Sequence, residues 1–244
     1  MEAIYKTVAK LMVSQKQCVG LTGAGVSVES GIPAFRSKGG LWEKYDPYVY
    51  ASIEMFRQDP SKYWTIRGDF IRHYDNYKPN KAHEALAELE KMGIVCHVIT
   101  QNIDGLHKKA GSQRVCELHG SLRETSCTQC GKAYLAPNIP EGLPPYCECG
   151  GVLKPNTVLF GEPLPQDALT RASKESSTCK AMLLIGTSAV VHPAASLPTL
   201  AKQNGANIIE VNPEKSFPNA DYYIEEKAGI ALSRIVDEIK KIVE

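Results

Sequence analysis

The sequence of 244 residues is 43% hydrophobic, carries a formal net charge of +1 and can bury a substantial core, as one large domain or as a large domain with a small appendage. The near-neutral charge gives no electrostatic reason to expect nucleic acid or a membrane as a primary partner. Because no signal peptide or transmembrane span is visible, we expect a cytoplasmic protein.

Apolar runs typical of buried strands alternate along the chain with helical patterns. An amphipathic helix is predicted over 1–16. Strands are predicted at 19–22, 95–100, 115–118, 181–186, 207–211 and 222–224. This alternation indicates an α/β fold, with a doubly wound, Rossmann-like parallel sheet and helices on both faces. In such sheets, ligands bind at the carboxyl ends of the strands.

A glycine-rich loop follows the first predicted strand. Gly23-Ala24-Gly25-Val26-Ser27 would let backbone N–H groups approach a pyrophosphate that a Cβ atom would push away. Gly31 and Pro33 then break the helical pattern, which places Phe35 and Arg36 on an irregular loop near the phosphate site. The alternative is a tight turn between strand and helix that binds nothing.

Four of the eight cysteines form two close pairs. The pairs are Cys127 with Cys130 and Cys147 with Cys149, in a stretch that also contains several glycines. Paired thiolates on turns suit tetrahedral zinc, and an all-thiolate site leaves no open position for water or substrate. We therefore predict one structural Zn²⁺, with two disulfides in a secreted module as the alternative. The second pair is Cys-x-Cys, where Cys-x-x-Cys is commoner.

Polar side chains stand where two of the predicted strands end. Gln101, Asn102 and Asp104 directly follow the strand at 95–100, although an Asx-type turn before a helix would also explain them. His119 follows the next strand-like run. A lone histidine is more often structural, but histidine is also the side chain that exchanges a proton most readily near neutral pH.

Six motifs occur in a recognisable order, and together they resemble the sirtuins over about residues 22–229. They are the 23–27 loop with Gly31-Ile32-Pro33-Ala34-Phe35-Arg36, Thr100-Gln101-Asn102-Ile103-Asp104, Leu118-His119-Gly120, the cysteine pairs, Phe160-Gly161-Glu162 and Gly186-Thr187-Ser188. The resemblance implies an NAD-dependent protein-lysine deacetylase. Such an enzyme transfers the acyl group of an acyl-lysine protein or peptide to ADP-ribose and releases nicotinamide, free lysine and O-acetyl-ADP-ribose.

The resemblance also implies roles for individual residues. His119 and Asn102 would be the catalytic residues, and His119 would deprotonate the ribose hydroxyls. Gln101 and Asn102 would contact the ribose and the water near it, and Ile103 and Asp104 would meet the carboxamide of nicotinamide. NAD as co-substrate would contact Gly23, Ala24, Gly25, Ser27, Phe35, Arg36, Gln101, Asn102, Ile103, Asp104, Gly186, Thr187, Ser188, Asn212 and Ala228. The substrate peptide would add as a strand between two segments. Its contacts would be Val158, Phe160, Gly161 and Glu162 on one side and Val191, His192 and Pro193 on the other.

Two long segments interrupt the sheet pattern and predict a second, smaller domain. Residues 37–79 are rich in aromatics, are readable as short helices, and are too long for an ordinary connection between a strand and a helix. We expect a Rossmann-like NAD-binding domain made of residues 1–36, 80–120 and 155–244. The small domain would combine a helical module at 37–79 with a zinc-binding module at 121–154.

The chain departs from the sirtuin pattern at two places. Ala34 replaces the aspartate of the common Gly-Ile-Pro-Asp-Phe-Arg motif. Sirtuins that remove succinyl or malonyl groups carry a Tyr-x-x-Arg pair, and here Arg67 and Phe70 stand at those positions. Tyr63 and Arg67 would nevertheless share a helical face, so an acidic acyl pocket stays open as an alternative.

Other functions compete less well with deacetylation. A mono-ADP-ribosyltransferase would use the same NAD site and differ only in the acceptor. For an NAD(H)-dependent oxidoreductase, the chain shows no obvious set of acid and base residues. For a zinc-ribbon nucleic-acid-binding protein, it shows no basic face around its cysteines. A monomer is the expected state, although the sequence leaves the oligomeric state open.

Overall fold

The computed structural model describes residues 2–34 and 45–243, and every structural statement below concerns those residues. The helices are α1 (Glu2–Gln15), α2 (Pro47–Tyr50), α3 (Ile53–Gln58), α4 (Pro60–Arg72), α5 (Lys81–Lys91), α6 (Leu106–Lys109), α7 (Gln166–Thr178), α8 (Leu197–Gln203) and α9 (Ala228–Val243). Short 3₁₀ helices occupy Ala24–Ser30, Tyr74–Asn76 and Ala194–Ser196. The strands are β1 (Cys18–Thr22), β2 (Val95–Thr100), β3 (Val115–Glu117), β4 (Gly120–Cys127), β5 (Ala133–Leu135), β6 (Leu153–Thr157), β7 (Ala181–Ile185), β8 (Asn207–Val211) and β9 (Tyr222–Ile224).

A parallel sheet forms the larger part of the molecule. Its strand order is β3-β2-β1-β7-β8-β9, and each neighbouring pair is parallel. Every residue of β1 and β7 is buried, as expected for strands covered on both faces. The chain order reverses between β1 and β7, which makes the carboxyl ends of these two strands the place where a ligand crevice forms.

Helices cover both faces of this sheet. On one face α1, α5 and α9 pack together over a core that includes Met12, Leu86 and Leu232. On the other face α7 and α8 pack over a second core around Ala172 and Leu197. The predicted doubly wound α/β fold is therefore confirmed.

A second, smaller sheet is antiparallel, with the order β5-β4-β6. Its core is shared with the helices of the 45–76 segment, and Trp64 on α4 donates a 2.9 Å hydrogen bond to the Leu153 carbonyl of β6. The 45–76 helices and the cysteine-bearing strands thus pack as one unit beside the parallel sheet.

The six strands predicted from the sequence all belong to the parallel sheet, and the sequence analysis did not identify β4, β5 or β6. Burial does not alternate regularly along β4, β5 has only three residues, and β6 contains Lys154, Pro155 and Asn156, so none of the three forms a long apolar run. None of the helices among residues 2–34 and 45–243 is long and apolar enough to cross a membrane.

Candidate active site

A cleft of about 1360 Å³ lies at the carboxyl ends of the central strands, with further walls supplied by α4 and by the segment after β6. It is lined by all of the predicted NAD and substrate residues that the structure describes, except Ser27 and Asp104. Phe35 and Arg36 lie outside the described residues. The cleft therefore brings together segments from 23 to 228 that are far apart in the sequence.

The glycine-rich loop after β1 packs directly on the loop after β7. The Gly23 N–H donates to the Ile185 carbonyl at 3.1 Å, and the Gly25 N–H donates to the Gly186 carbonyl at 2.8 Å. A Cβ atom on Gly25 would lie 2.7 Å from the Gly186 Cα atom, closer than real side chains approach. Gly23 and Gly25 are thus both required by the contact between the two loops, and their N–H groups already donate to carbonyl oxygens of residues 185 and 186.

Three predicted residues form a buried polar network below the cleft. The Ser27 hydroxyl donates to the Asp104 carboxylate at 2.7 Å and accepts from the Asn102 side-chain amide at 3.0 Å. Burial raises the pKa of Asp104, and a hydrogen bond from the Leu106 N–H opposes this shift. The network fixes Asn102 and Asp104 relative to the glycine-rich loop.

Two buried histidines extend this network away from the cleft. His83 on α5 lies 3.4 Å from the Ser27 hydroxyl, and its ring centroid is 4.8 Å from that of His107. The Nε2 atom of His107 is 2.9 Å from the Thr22 hydroxyl at the end of β1. Burial lowers the pKa of His83 to about 4 and holds that of His107 well below its ordinary value, so both rings are neutral near pH 7.

His119 lies between β3 and β4, where the chain leaves the parallel sheet. Its Nδ1 atom is 2.8 Å from the Gln101 carbonyl. Because a carbonyl oxygen only accepts, Nδ1 carries the proton and Nε2 keeps its lone pair. Burial lowers the pKa of His119, against the opposing effect of the Gln101 carbonyl. The side chain lines the cleft as a neutral base.

The segments predicted to hold a peptide face the same cleft. The Val158 N–H donates to the His119 carbonyl at 2.9 Å, which ties this segment to the candidate base. The Glu162 carboxylate accepts from the Leu159 N–H at 2.8 Å and pairs with Lys154 at 3.0 Å. These contacts hold Glu162 close to its own segment.

The four cysteines predicted as metal ligands lie together at one end of the small sheet. Their sulfur atoms all fall within 4.8 Å of one another. The Sγ atoms of Cys127 and Cys149 are 3.5 Å apart, and those of Cys130 and Cys147 are 3.7 Å apart. Zn–S bonds of about 2.3 Å in a tetrahedron place sulfurs about 3.8 Å apart, so the cluster fits zinc.

The charges of the cluster also favour a cation. A hydrogen bond from the Cys130 N–H, the largest influence, helps lower the pKa of Cys127 to about 6. At Cys149 the Gly151 N–H lowers the pKa, but the neighbouring thiols Cys130 and Cys127 outweigh it and raise that pKa to about 12. Four thiolates therefore need a positive ion between them to ionise together.

Several parts of the cleft lining were not predicted from the sequence, among them Glu29 and Leu169, and the longest is the segment 213–216. The residues of this segment follow β8 and line the cleft next to Asn212. Their position at the carboxyl edge of the sheet was the available signal, because the loops after β1, β2 and β7 occupy the same edge.

Comparisons with known proteins agree with this architecture. The model of the Sir2 family matches residues 23–193. The NAD-dependent protein deacylase 2 of Pyrobaculum aerophilum is 47% identical, covering 96% of this chain and 95% of the relative. The NAD-dependent protein deacetylase of Saccharolobus solfataricus is 42% identical, covering 98% of each.

Solved structures agree as well. A Sir2 homologue in complex with NAD is 45% identical and has a TM-score of 0.89, covering 98% of this chain and 94% of the other. A Sir2 mutant with a deacetylated p53 peptide and 3′-O-acetyl-ADP-ribose is 37% identical and has a TM-score of 0.90, covering 96% of this chain and 97% of the other. This chain belongs to the Sir2 family.

Proposed function

We propose that the protein is an NAD-dependent protein-lysine deacetylase that transfers the acyl group from acyl-lysine to ADP-ribose. The observation that carries the proposal is the neutral base at His119, held in a cleft whose walls come from the loops after β1, β2, β7 and β8. Family membership supports it, since the relatives that share almost the whole chain carry the names NAD-dependent protein deacylase or deacetylase.

The cleft residues suit NAD by their chemistry. The loops after β1 and β7 offer a close-packed backbone surface without side chains at Gly23, Gly25 and Gly186, which suits a pyrophosphate. Asn102 and Ile103 present amide and apolar groups to the cleft, and the buried Asp104 carboxylate lies next to them in the network with Ser27, which suits the nicotinamide end. When bound, NAD supplies the ADP-ribose unit that accepts the acyl group as nicotinamide leaves.

The protein's own part in this reaction is positioning and proton transfer. The Gln101 carbonyl holds His119 in the tautomer that leaves Nε2 free, and Nε2 takes a proton from a ribose hydroxyl. Ser27 keeps the Asn102 amide in place next to that ribose.

The remaining assignments follow from the same reaction. The segment from Val158 to Glu162 and the segment from Val191 to Pro193 would take the acyl-lysine peptide as an added strand. Zinc at the four cysteines would be structural. We place the protein in the cytoplasm, where thiols stay reduced, as a monomer.

We also propose the domain division predicted from the sequence, with one adjustment. Because β6 pairs with β4 in the small sheet, the zinc-binding module extends to Thr157 and not only to residue 154. The Rossmann-like domain then resumes at residue 158.

One observation favours a second substrate. Tyr63 and Arg67 both line the cleft from α4, and the Tyr63 hydroxyl lies 3.2 Å from Thr157 on β6. An arginine in the same cleft as His119 would pair with the carboxylate of a succinyl or malonyl group. A desuccinylase or demalonylase is therefore the alternative, and a mono-ADP-ribosyltransferase would differ in acceptor only.

Mass spectrometry of acyl-lysine peptides incubated with the protein tests these proposals. Acetyl-lysine and succinyl-lysine versions of one peptide, each with and without NAD, are followed for nicotinamide, acyl-ADP-ribose and free lysine. Equal amounts of all three products from the acetyl peptide support deacetylation. Faster turnover of the succinyl peptide, lost in Arg67→Met, would favour the alternative, and nicotinamide release without free lysine would indicate ADP-ribose transfer.

A further inference from the structure

Glu210 on β8 is a fully buried carboxylate with 0% exposure. It accepts hydrogen bonds from the Ser216 hydroxyl at 2.7 Å, the Phe217 N–H at 3.1 Å and the Asn212 side-chain amide at 2.9 Å, and also from the Ser216 N–H. No lysine or arginine among the described residues forms an ion pair with it. Because a buried carboxylate is costly unless it is fully hydrogen-bonded, these donors are what hold it there.

All of the donors to Glu210 belong to one loop. Residues 212–217 leave the end of β8 and turn back over the Glu210 side chain, so the carboxylate sits inside the turn that they make. Residues 212–216 line the cleft. Glu210 itself does not reach the cleft, and any effect on a ligand must pass through this loop.

Glu210 also fixes which way the Asn212 side chain points. The amide nitrogen of Asn212 donates to the Thr187 carbonyl at 3.0 Å, to Glu210 at 2.9 Å and to the Ser216 hydroxyl at 3.2 Å. All three oxygens accept from this nitrogen, so its two hydrogens are shared among them and the Oδ1 atom is left as the free group. An oxygen of this kind accepts a hydrogen bond from a hydroxyl and repels a phosphate.

We propose that Glu210 is a positioning residue for the adenosine half of NAD. It shapes the 212–217 loop and orients Asn212 so that Oδ1 can accept from a ribose hydroxyl. This inference rests on the proposed function, because it takes NAD as the ligand of the cleft. It adds to that function a buried residue that binds no ligand and sets the affinity for the cofactor.

Glu210→Gln tests the inference because it keeps the shape and replaces one accepting oxygen by an NH₂ group, which cannot accept from Ser216 or Phe217. We expect the KM for NAD to rise about tenfold, which corresponds to the loss of about one charge-assisted hydrogen bond. The values of kcat and of the KM for the acetyl peptide should stay nearly unchanged. Calorimetric titration with ADP-ribose should show the same weakening without any turnover. Hydrogen exchange should increase within 212–217 and not at His119.

Ser216→Ala is a milder second variant, since it removes the hydroxyl that donates to Glu210 and accepts from Asn212, and leaves the backbone N–H groups in place. It should weaken ADP-ribose binding severalfold, and folding is monitored by the melting temperature. Glu225→Gln makes the same chemical change at an exposed position near β9 and should leave binding unchanged.

The outcomes separate this inference from the proposed function. Unchanged ADP-ribose affinity in folded Glu210→Gln and Ser216→Ala would overturn the role of Glu210 while leaving the NAD site intact. A fall in kcat together with equal rises in the KM for NAD and the KM for the peptide would also overturn it, since that pattern indicates general destabilisation. A wild-type protein that binds neither NAD nor ADP-ribose would overturn the proposed function and, with it, the inference.

Discussion

The parallel sheet and the small antiparallel sheet are stabilised in different ways. In the first, β1 and β7 are buried at every residue and two apolar cores lie on the two faces. In the second, β5 is mostly exposed, and the strands converge on four cysteines. Hydrophobic burial therefore supports the larger sheet, whereas metal ligation compensates for the limited core of the smaller one.

Removing zinc should reveal the difference in stability between the two sheets most strongly. Structural zinc contributes on the order of 10 kcal/mol in small zinc modules, so Cys147→Ser should lose the metal and unfold the β4–β6 region. Limited proteolysis should then cut within 121–157 while the parallel sheet survives. Cys96→Ser, at a partly buried cysteine outside the cluster, is the control and should keep stoichiometric zinc. A metal-free Cys147→Ser protein with unchanged protease resistance would contradict the account.

Shortening a buried side chain in the parallel sheet should give the next largest effect. Leu183 is fully buried in β7, and Leu183→Ala should lower the free energy of unfolding by about 2–5 kcal/mol through lost burial and a cavity. Zinc content should stay the same. Leu135→Ala in β5, at a residue that is 51% exposed, should cost less than about 0.5 kcal/mol. Urea unfolding measures both, and similar losses in the two variants would remove the distinction between the sheets.

Acid should weaken the parallel sheet through its buried histidines. The pKa of His83 falls to about 4 in the folded state, below the ordinary value of about 6.5, so the unfolded chain binds the extra proton between these pH values. Stability should therefore fall as pH drops from 6.5 towards 4, by about 1.4 kcal/mol per pH unit for this residue. The raised pKa of Asp104 acts in the opposite direction.

His83→Asn isolates the histidine contribution from that of Asp104. The difference in unfolding free energy between wild type and variant, measured in urea from pH 7 to pH 5, should shrink towards acid as the wild type loses its advantage. A difference that is independent of pH would show that His83 is not held neutral.

The smallest effect concerns retention of the metal. The Tyr134 hydroxyl donates to the Cys147 sulfur at 3.2 Å, and such contacts to metal ligands typically change metal affinity by a factor of about 10 or more. Tyr134→Phe should release zinc to a colorimetric chelator about tenfold faster. Tyr146→Phe, at a residue of the same module that is 53% exposed, should release zinc at the wild-type rate. Equal rates in all three proteins would exclude a role for the hydroxyl.

The two sheets also differed in how well the sequence predicted them. The parallel strands are continuous apolar runs, as at Ala181–Ile185, and all six were placed correctly. The antiparallel strands were missed because β4 lacks a regular alternation of burial, β5 has only three residues and β6 carries polar residues and a proline. The cysteine pairs themselves were readable, since ligand spacing is a local property of the chain.

The site was predictable as a set of segments but not as a network. Gln101, Asn102 and His119 were identified at strand ends. The hydrogen bonds that link Ser27 with Asn102 and with Asp104 join residues 75 and 77 positions apart, which no local pattern reveals. The glycines of the first loop were interpreted as making room for a pyrophosphate, and the structure adds that Gly25 is needed for contact with Gly186.

The most direct test of the central claim compares His119→Ala with the wild type in NAD-dependent deacetylation. His119 stands where the two sheets meet and lines the cleft as a neutral base, so its removal should lower kcat by about 100-fold or more. Zinc content and melting temperature should stay unchanged, and His73→Ala, at an exposed histidine, should retain full activity. A His119→Ala protein that deacetylates at the wild-type rate would contradict the account.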